Sequence, residues 1–199
     1  MKRLLALSFA LLVLSAAVVL ASPAGAASTA NGTLLKATIP PTSLKLSTGE
    51  TVTVSGSLDV AIAQFNVQDG KIVANATLSG TLMGTTSSNE TVVATFTNTR
   101  IVARVTDLQA DCQAGTLSFT LHAVVPANSV DVTVNGTPVS LKGPIKLTVP
   151  IAISTAEISD PATAGKVGAI ICKSDSLLKS GGSLDQIVNQ LTALLRALA

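Results

Sequence analysis

Histidine occurs once in this 199-residue chain, at position 122, and that limits the acid–base and metal chemistry open to it. Near neutral pH histidine is the natural proton shuttle and the commonest metal ligand. His122 lies in an alternating stretch, Thr116 to Val125, on the face opposite Phe119 and Leu121. No second histidine exists to build a histidine-based zinc site. No Gly-x-Ser-x-Gly elbow presents a nucleophile. His122 is therefore expected on the polar face of a strand, with hydrolysis around it a weak third reading. Asp107 and Asp111 flank the approach to Cys112 and could offer carboxylates to calcium. The Asp-x-Asp-x-Asp-Gly loop is absent, so a solvated turn is expected. Arg100 and Arg104 share one face of a strand and could receive an anionic ligand. Pairing with neighbouring carboxylates is the simpler expectation. Asn31, Asn75, Asn89 and Asn135 each head an Asn-x-Thr glycosylation pattern, which a threonine-rich chain produces by chance. No cofactor motif is present, and no catalytic, cofactor or metal residue is assigned.

Two cysteines, Cys112 and Cys172, carry the remaining chemistry. Lys2 and Arg3, an apolar run from Leu4 to Leu20, and Ala24-Gly25-Ala26 together have the form of a secretory signal over residues 1–26. The alternative is an uncleaved membrane anchor, since the run is almost long enough to span a bilayer. In an oxidising compartment an even cysteine count reads as one disulfide; the alternative is a pair of buried thiols. The expected location is secreted or at the cell surface. No later stretch is long and apolar enough to cross a bilayer as a helix.

Composition narrows the partners. The chain carries 13 Lys and Arg against 11 Asp and Glu. Loss of Lys2 and Arg3 with the signal makes those counts equal. No basic block remains, which argues against nucleic acid or an anionic membrane as a partner. Beyond the signal the only aromatics are Phe65, Phe96 and Phe119, so platforms for stacking bases or sugars are nearly absent.

The elements that must position these residues are mostly strands. Residues 27–32 form a small, polar, flexible start. Thr33 to Ile39 is a first strand, stopped by Pro40-Pro41, with a short extended piece at Leu44 to Leu46. Thr51 to Val67 is a long strand in which Gly56 marks a bulge. Asp69-Gly70 turns the chain into the clearest alternator of the first half. There Ile72, Ala74, Ala76, Leu78, Gly80 and Leu82 face one way. After a polar loop from Gly84 to Glu90 come Thr91 to Val105 and a turn region, Asp107 to Gly115. Val130 to Val134 and Val139 to Leu141 flank Asn135-Gly136, a strong hairpin signal. Ile145 to Ile153 alternates again, and Pro150 on its outer face suggests an edge.

After Asp160-Pro161 the period changes to that of a helix. Gly181-Gly182 breaks it. Ser183 and Gln186 form a capping-box pair ahead of Leu184, Ile187, Val188, Leu191, Leu194, Leu195 and Leu198, which share one helical face. The expected fold is mainly β: an antiparallel sandwich or barrel-like sheet over 33–199, covered by C-terminal helices at about 162–198.

These features resemble a widespread group of exported bacterial proteins of unassigned function. The likeness rests on Phe65 to Ala74 running into Leu78 to Leu82, on Cys112 to Phe119, on Val167 to Cys172, and on the leucine-rich end. It implies export, a disulfide and a terminal helix, and no reaction. The leading functional expectation is a non-enzymatic exported β-domain, a structural or interaction module. The alternative is a carrier of a hydrophobic small molecule or lipid. Its apolar wall would be Ala74, Ala76, Leu78 and Gly80 facing Ile187, Leu191 and Leu194.

Overall fold

The structure, a computed structural model, describes residues 33–199. The export signal over 1–26 and the polar start over 27–32, Asn31 included, lie outside the described residues. Eight antiparallel strands precede two helices. β1 (Thr33–Lys45), β2 (Thr51–Gln68), β3 (Lys71–Thr85), β4 (Thr91–Asp111), β5 (Thr116–Val125) and β8 (Ile145–Ser154) lie side by side in the order β1-β2-β3-β4-β5-β8. A short hairpin, β6 (Asp131–Val134) and β7 (Thr137–Val139), branches from β4.

The length of β4 makes the branch. Its first residues pair with β6, from Val92↔Val134 to Thr95↔Asp131. Its last pair with β5, from Ala103↔Ala123 to Asp111↔Thr116. The sheet curls until β1 approaches β8. Beyond β7, Leu46 bridges Leu141, fixed by Ser47 N–H to the Ser140 carbonyl and Lys142 N–H to the Lys45 carbonyl, both 2.8 Å. The result is a nearly closed, barrel-like antiparallel sheet.

Alternation drives this closure. A strand that puts every second side chain on one face must bury that face against another layer. Ile72, Ala74, Ala76, Leu78 and Leu82 of β3 are all buried, as are Leu117, Phe119, Leu121, Ala123 and Val125 of β5. Phe65 meets Phe119 edge-to-face, with ring centres 5.7 Å apart. Asn135 and Gly136 take φ of 47° and 79°, the left-handed pair that a two-residue hairpin turn needs. Asp69 and Gly70 do the same between β2 and β3, at 50° and 67°.

Four boundary expectations give way to bulges and strand extensions. Pro40-Pro41 does not end β1. The register passes from Ile39↔Gly56 to Thr42↔Val54, so both prolines sit opposite one residue, where the ladder is already interrupted and no N–H is required. The extended piece at Leu44 therefore belongs to β1. The extra residue of β2 is Ala63, between Ile62↔Ala76 and Gln64↔Asn75, and not Gly56. The turn expected from Asp107 is confined to residues 112–115, because β4 absorbs Asp107 in a bulge (φ 52°) and runs on to Asp111. Leu141 bridges Leu46, just past β1, rather than extending the hairpin.

The helices follow their end signals. α1 (Pro161–Ser180) starts with Pro161 in the first turn and Asp160 as N-cap, whose carboxylate accepts the Thr163 N–H at 2.8 Å. It stops at Gly181, φ 69°. α2 (Leu184–Leu198) opens on the full capping box. Gln186 N–H donates to Ser183 Oγ, and Ser183 N–H donates to Gln186 Oε1. α1 packs on β4 and β5, and α2 packs chiefly on β2. Val167, Ile171, Ile187, Leu191, Leu194 and Leu195 join one continuous core with the inward strand residues. No helix among the described residues is long and apolar enough to cross a membrane.

Candidate binding face

Cys112 and Cys172 are bonded, with Cα atoms 4.3 Å apart. The bridge ties the β4–β5 turn to the middle of α1. Asp111 shapes that turn: its carboxylate accepts the N–H groups of Gln113 (2.8 Å) and Ala114 (3.0 Å). The Ala114 bond first, then the Gln113 bond, holds its carboxyl below the usual range. Asp107 accepts the Thr106 hydroxyl at 2.8 Å. Each aspartate thus commits one carboxylate oxygen to local backbone or side chain.

A polar cleft of about 750 Å³ lies beside the disulfide, bordered by Gln109, Asp111, Thr116, Asp175 and Lys179. Asp175 is buried and paired with Lys179 at 2.7 Å. The Asp175 carboxylate, through its hydrogen bond and its charge, raises the Lys179 ammonium above its ordinary value. Sequence reading missed this pair. The available signal was the spacing: Asp175 follows Ile171 by four and precedes Lys179 by four, the reach of one helical turn.

The seven residues of the expected apolar wall are all inward. Ala74, Ala76, Leu78, Ile187, Leu191 and Leu194 are buried within the continuous core. Gly80 is half-buried, and Leu58 already fills the space beside it. A Cβ there would stand 3.1 Å from Leu58 Cδ2 and from the Ser57 carbonyl oxygen.

The outer face of the same strands is the distinctive surface. Arg100, Val102 and Arg104 all point outward from β4 and are exposed. Among the described residues neither arginine lies within ion-pair distance of a carboxylate, which corrects the expectation that neighbouring acids neutralise them. The register supplies the reason. Three neighbouring rungs run outward as Ala61, Thr77, Arg100; as Gln64, Asn75, Val102; and as Asn66, Val73, Arg104, His122, Thr148. None contains an acid. Val102 and Val124 sit on adjacent strands, each one residue from the Ala103↔Ala123 pair, and are 63% and 64% exposed. Lys146 pairs with Val124 on β8. His122 is exposed, with Nδ1 3.4 Å from Thr148 Oγ1 and Arg104 opposite it in the ladder.

Next to Val102 the sheet surface is hollowed. Ala63, residues 75–77 and residues 100–102 line an open cleft of about 410 Å³, mostly apolar. The β2 bulge makes it: Ala63 and Gln64 are both exposed where one residue would otherwise stand, and alanine fills little of the extra length. Asn75, an Asn-x-Thr position, is half-buried in this cleft. Asn89 is exposed on the β3–β4 loop. Asn135 instead spends its side chain on the Thr91 N–H and on Glu90.

Neither a family model nor a curated protein nor a solved structure matches this chain.

Proposed function

We propose that this protein is an exported, non-enzymatic β-domain that works as an interaction module, binding an anionic partner through the outer face of β3, β4, β5 and β8. The observation that carries the reading is that Arg100 and Arg104, on either side of exposed Val102, have no carboxylate partner among the described residues. Unpaired cations around an apolar centre attract an opposite charge at long range and offer desolvated contact at short range. The Cys112–Cys172 bond supports an oxidising destination. The resemblance to exported bacterial proteins points the same way.

The test is retention of the purified protein on the envelope fraction of the cells that make it. Wild type is expected to be retained and to elute as salt rises from about 50 to 500 mM, where the Debye length falls to a few ångströms. Arg100→Glu/Arg104→Glu is expected to lose most retention with its melting temperature intact. Equal retention of the double variant, or turnover by wild type in a broad hydrolase screen, overturns the reading.

A further inference from the structure

We infer that the cleft between Ala63 and Val102 is a subsite for a small anionic amphiphile, a free alkyl carboxylate whose head group pairs with Arg100. The inference rests on reading the outer face as a binding face and names what one part of it takes. Three features of the cleft select this ligand class. Its volume, about 410 Å³, lies within the ordinary range for small-molecule sites. Its lining is mostly apolar, with Ala63 at one side, Val102 at the other, and the Ala76↔Ile101 rung beneath. An alkyl chain laid there removes exposed valine surface from water.

The polar features then fix the sign and position of the head group. Arg100 lines the cleft itself and has no carboxylate partner among the described residues. Its planar guanidinium matches a carboxylate with two parallel hydrogen bonds. Thr77, its neighbour across the ladder, offers a hydroxyl to the same head group. No acid stands on the cleft's rungs, so a cationic head group finds no counter-charge and meets repulsion from Arg100 and Arg104. A neutral amphiphile leaves Arg100 unused. The site is thus anion-selective by charge and tail-selective by shape.

Calorimetry on the purified protein tests this with three probes of known composition: decanoate, decyltrimethylammonium and acetate. Decanoate is expected to bind, and amide shifts in ¹H–¹⁵N spectra should centre on residues 75–77 and 100–102. Acetate lacks the tail and decyltrimethylammonium reverses the charge, so each should bind at least tenfold more weakly. Arg100→Gln should weaken decanoate about tenfold, the usual worth of a charge-assisted hydrogen bond. Val102→Asp should weaken it by at least as much. Lys36→Glu, outside the cleft, should change nothing. Failure of decanoate to bind, equal binding of the cationic probe, or shifts centred on another cleft each overturns the inference. Envelope retention separates the two readings. If Arg100→Glu/Arg104→Glu loses retention while decanoate does not bind, the face stands and the cleft inference falls. If decanoate binds at the cleft and retention ignores the arginines, the cleft inference stands and the docking reading falls.

Discussion

At the scale of single residues, carboxylates in this protein organise backbone. Asp160 caps α1 through Thr163, and Glu50 accepts both the N–H and the hydroxyl of Ser87, at 2.7 and 2.8 Å. These bonds hold both carboxyls below their usual range. Thr163, by side chain and then backbone, lowers Asp160; the Ser87 backbone, then its hydroxyl, lowers Glu50. A folded-state value below the unfolded one means that the charged form is favoured by folding. The stabilisation is therefore complete above the unfolded carboxylate range, about pH 4, and is lost as pH falls through the lowered folded values. Asp160→Asn keeps a capping oxygen and removes the titration. Melting curves from pH 7 down to pH 2 should show a shallower acid decline for Asp160→Asn than for wild type. Superimposable declines would remove Asp160 from the account.

Elements divide into those fixed by their own sequence and those fixed by a neighbour. α2 belongs to the first kind: capping box and apolar stripe both lie within residues 183–198. Four of its seven stripe residues, Ile187, Leu191, Leu194 and Leu195, are buried in the core, and Leu184, Val188 and Leu198 pack partly buried against it. Leu191 is 1% exposed, so Leu191→Ala should cost about 2–5 kcal/mol, the range for a leucine cavity that cannot collapse. Urea unfolding measures it, and a loss under about 1 kcal/mol would mean that the helix rests on a loosely packed wall. β4 belongs to the second kind. Three partners share it, and bulges at Asn98 (φ 49°) and Asp107 let it change partner without losing its face. Left-handed Asn and Asp are tolerated there because a short polar side chain can bond locally, as Asp107 does with the Thr106 hydroxyl, while Asn98 bonds across the ladder to Ser79.

For the whole molecule, the covalent tie between sheet and helices is the Cys112–Cys172 bond, which closes a loop of 60 residues. In the chain-entropy model such a closure stabilises the fold by roughly 4 kcal/mol. Cys112→Ser/Cys172→Ser should lose about that amount on chemical unfolding. Hydrogen exchange should quicken in α1 and α2 more than in β3, which is held by ladders on both sides. Thiol labelling of denatured, unreduced wild type should find no free cysteine. Uniform quickening across helices and sheet would mean that the bond acts on the fold as a whole rather than as a helix tether.

The alternation in β3, β5 and β8, the Asp-Gly and Asn-Gly turns, the capped helices and the cysteine pair were legible in the chain. Each depends on residues within a few positions of one another or, for the disulfide, on there being only two candidates. Period and turn chemistry are local properties, so sequence alone determined a β body with a helical end. Strand ends were misread where a bulge, not a turn, absorbed the irregular residues. A bulge exists only relative to a partner strand, and Pro40, Ala63 and Asp107 look the same in sequence either way. Of the basic face, only the even spacing of Arg100 and Arg104 was legible, and its extension to His122 and Lys146 was hidden for the same reason. Arg100, Arg104, His122 and Lys146 are scattered over 47 positions in a chain without a basic block. The pairing of β4 with β5, and of β5 with β8, sets their outward side chains on neighbouring rungs. Register, a property of strand pairs and not of strands, decided which charges stand together and left no acid on the arginines' rungs.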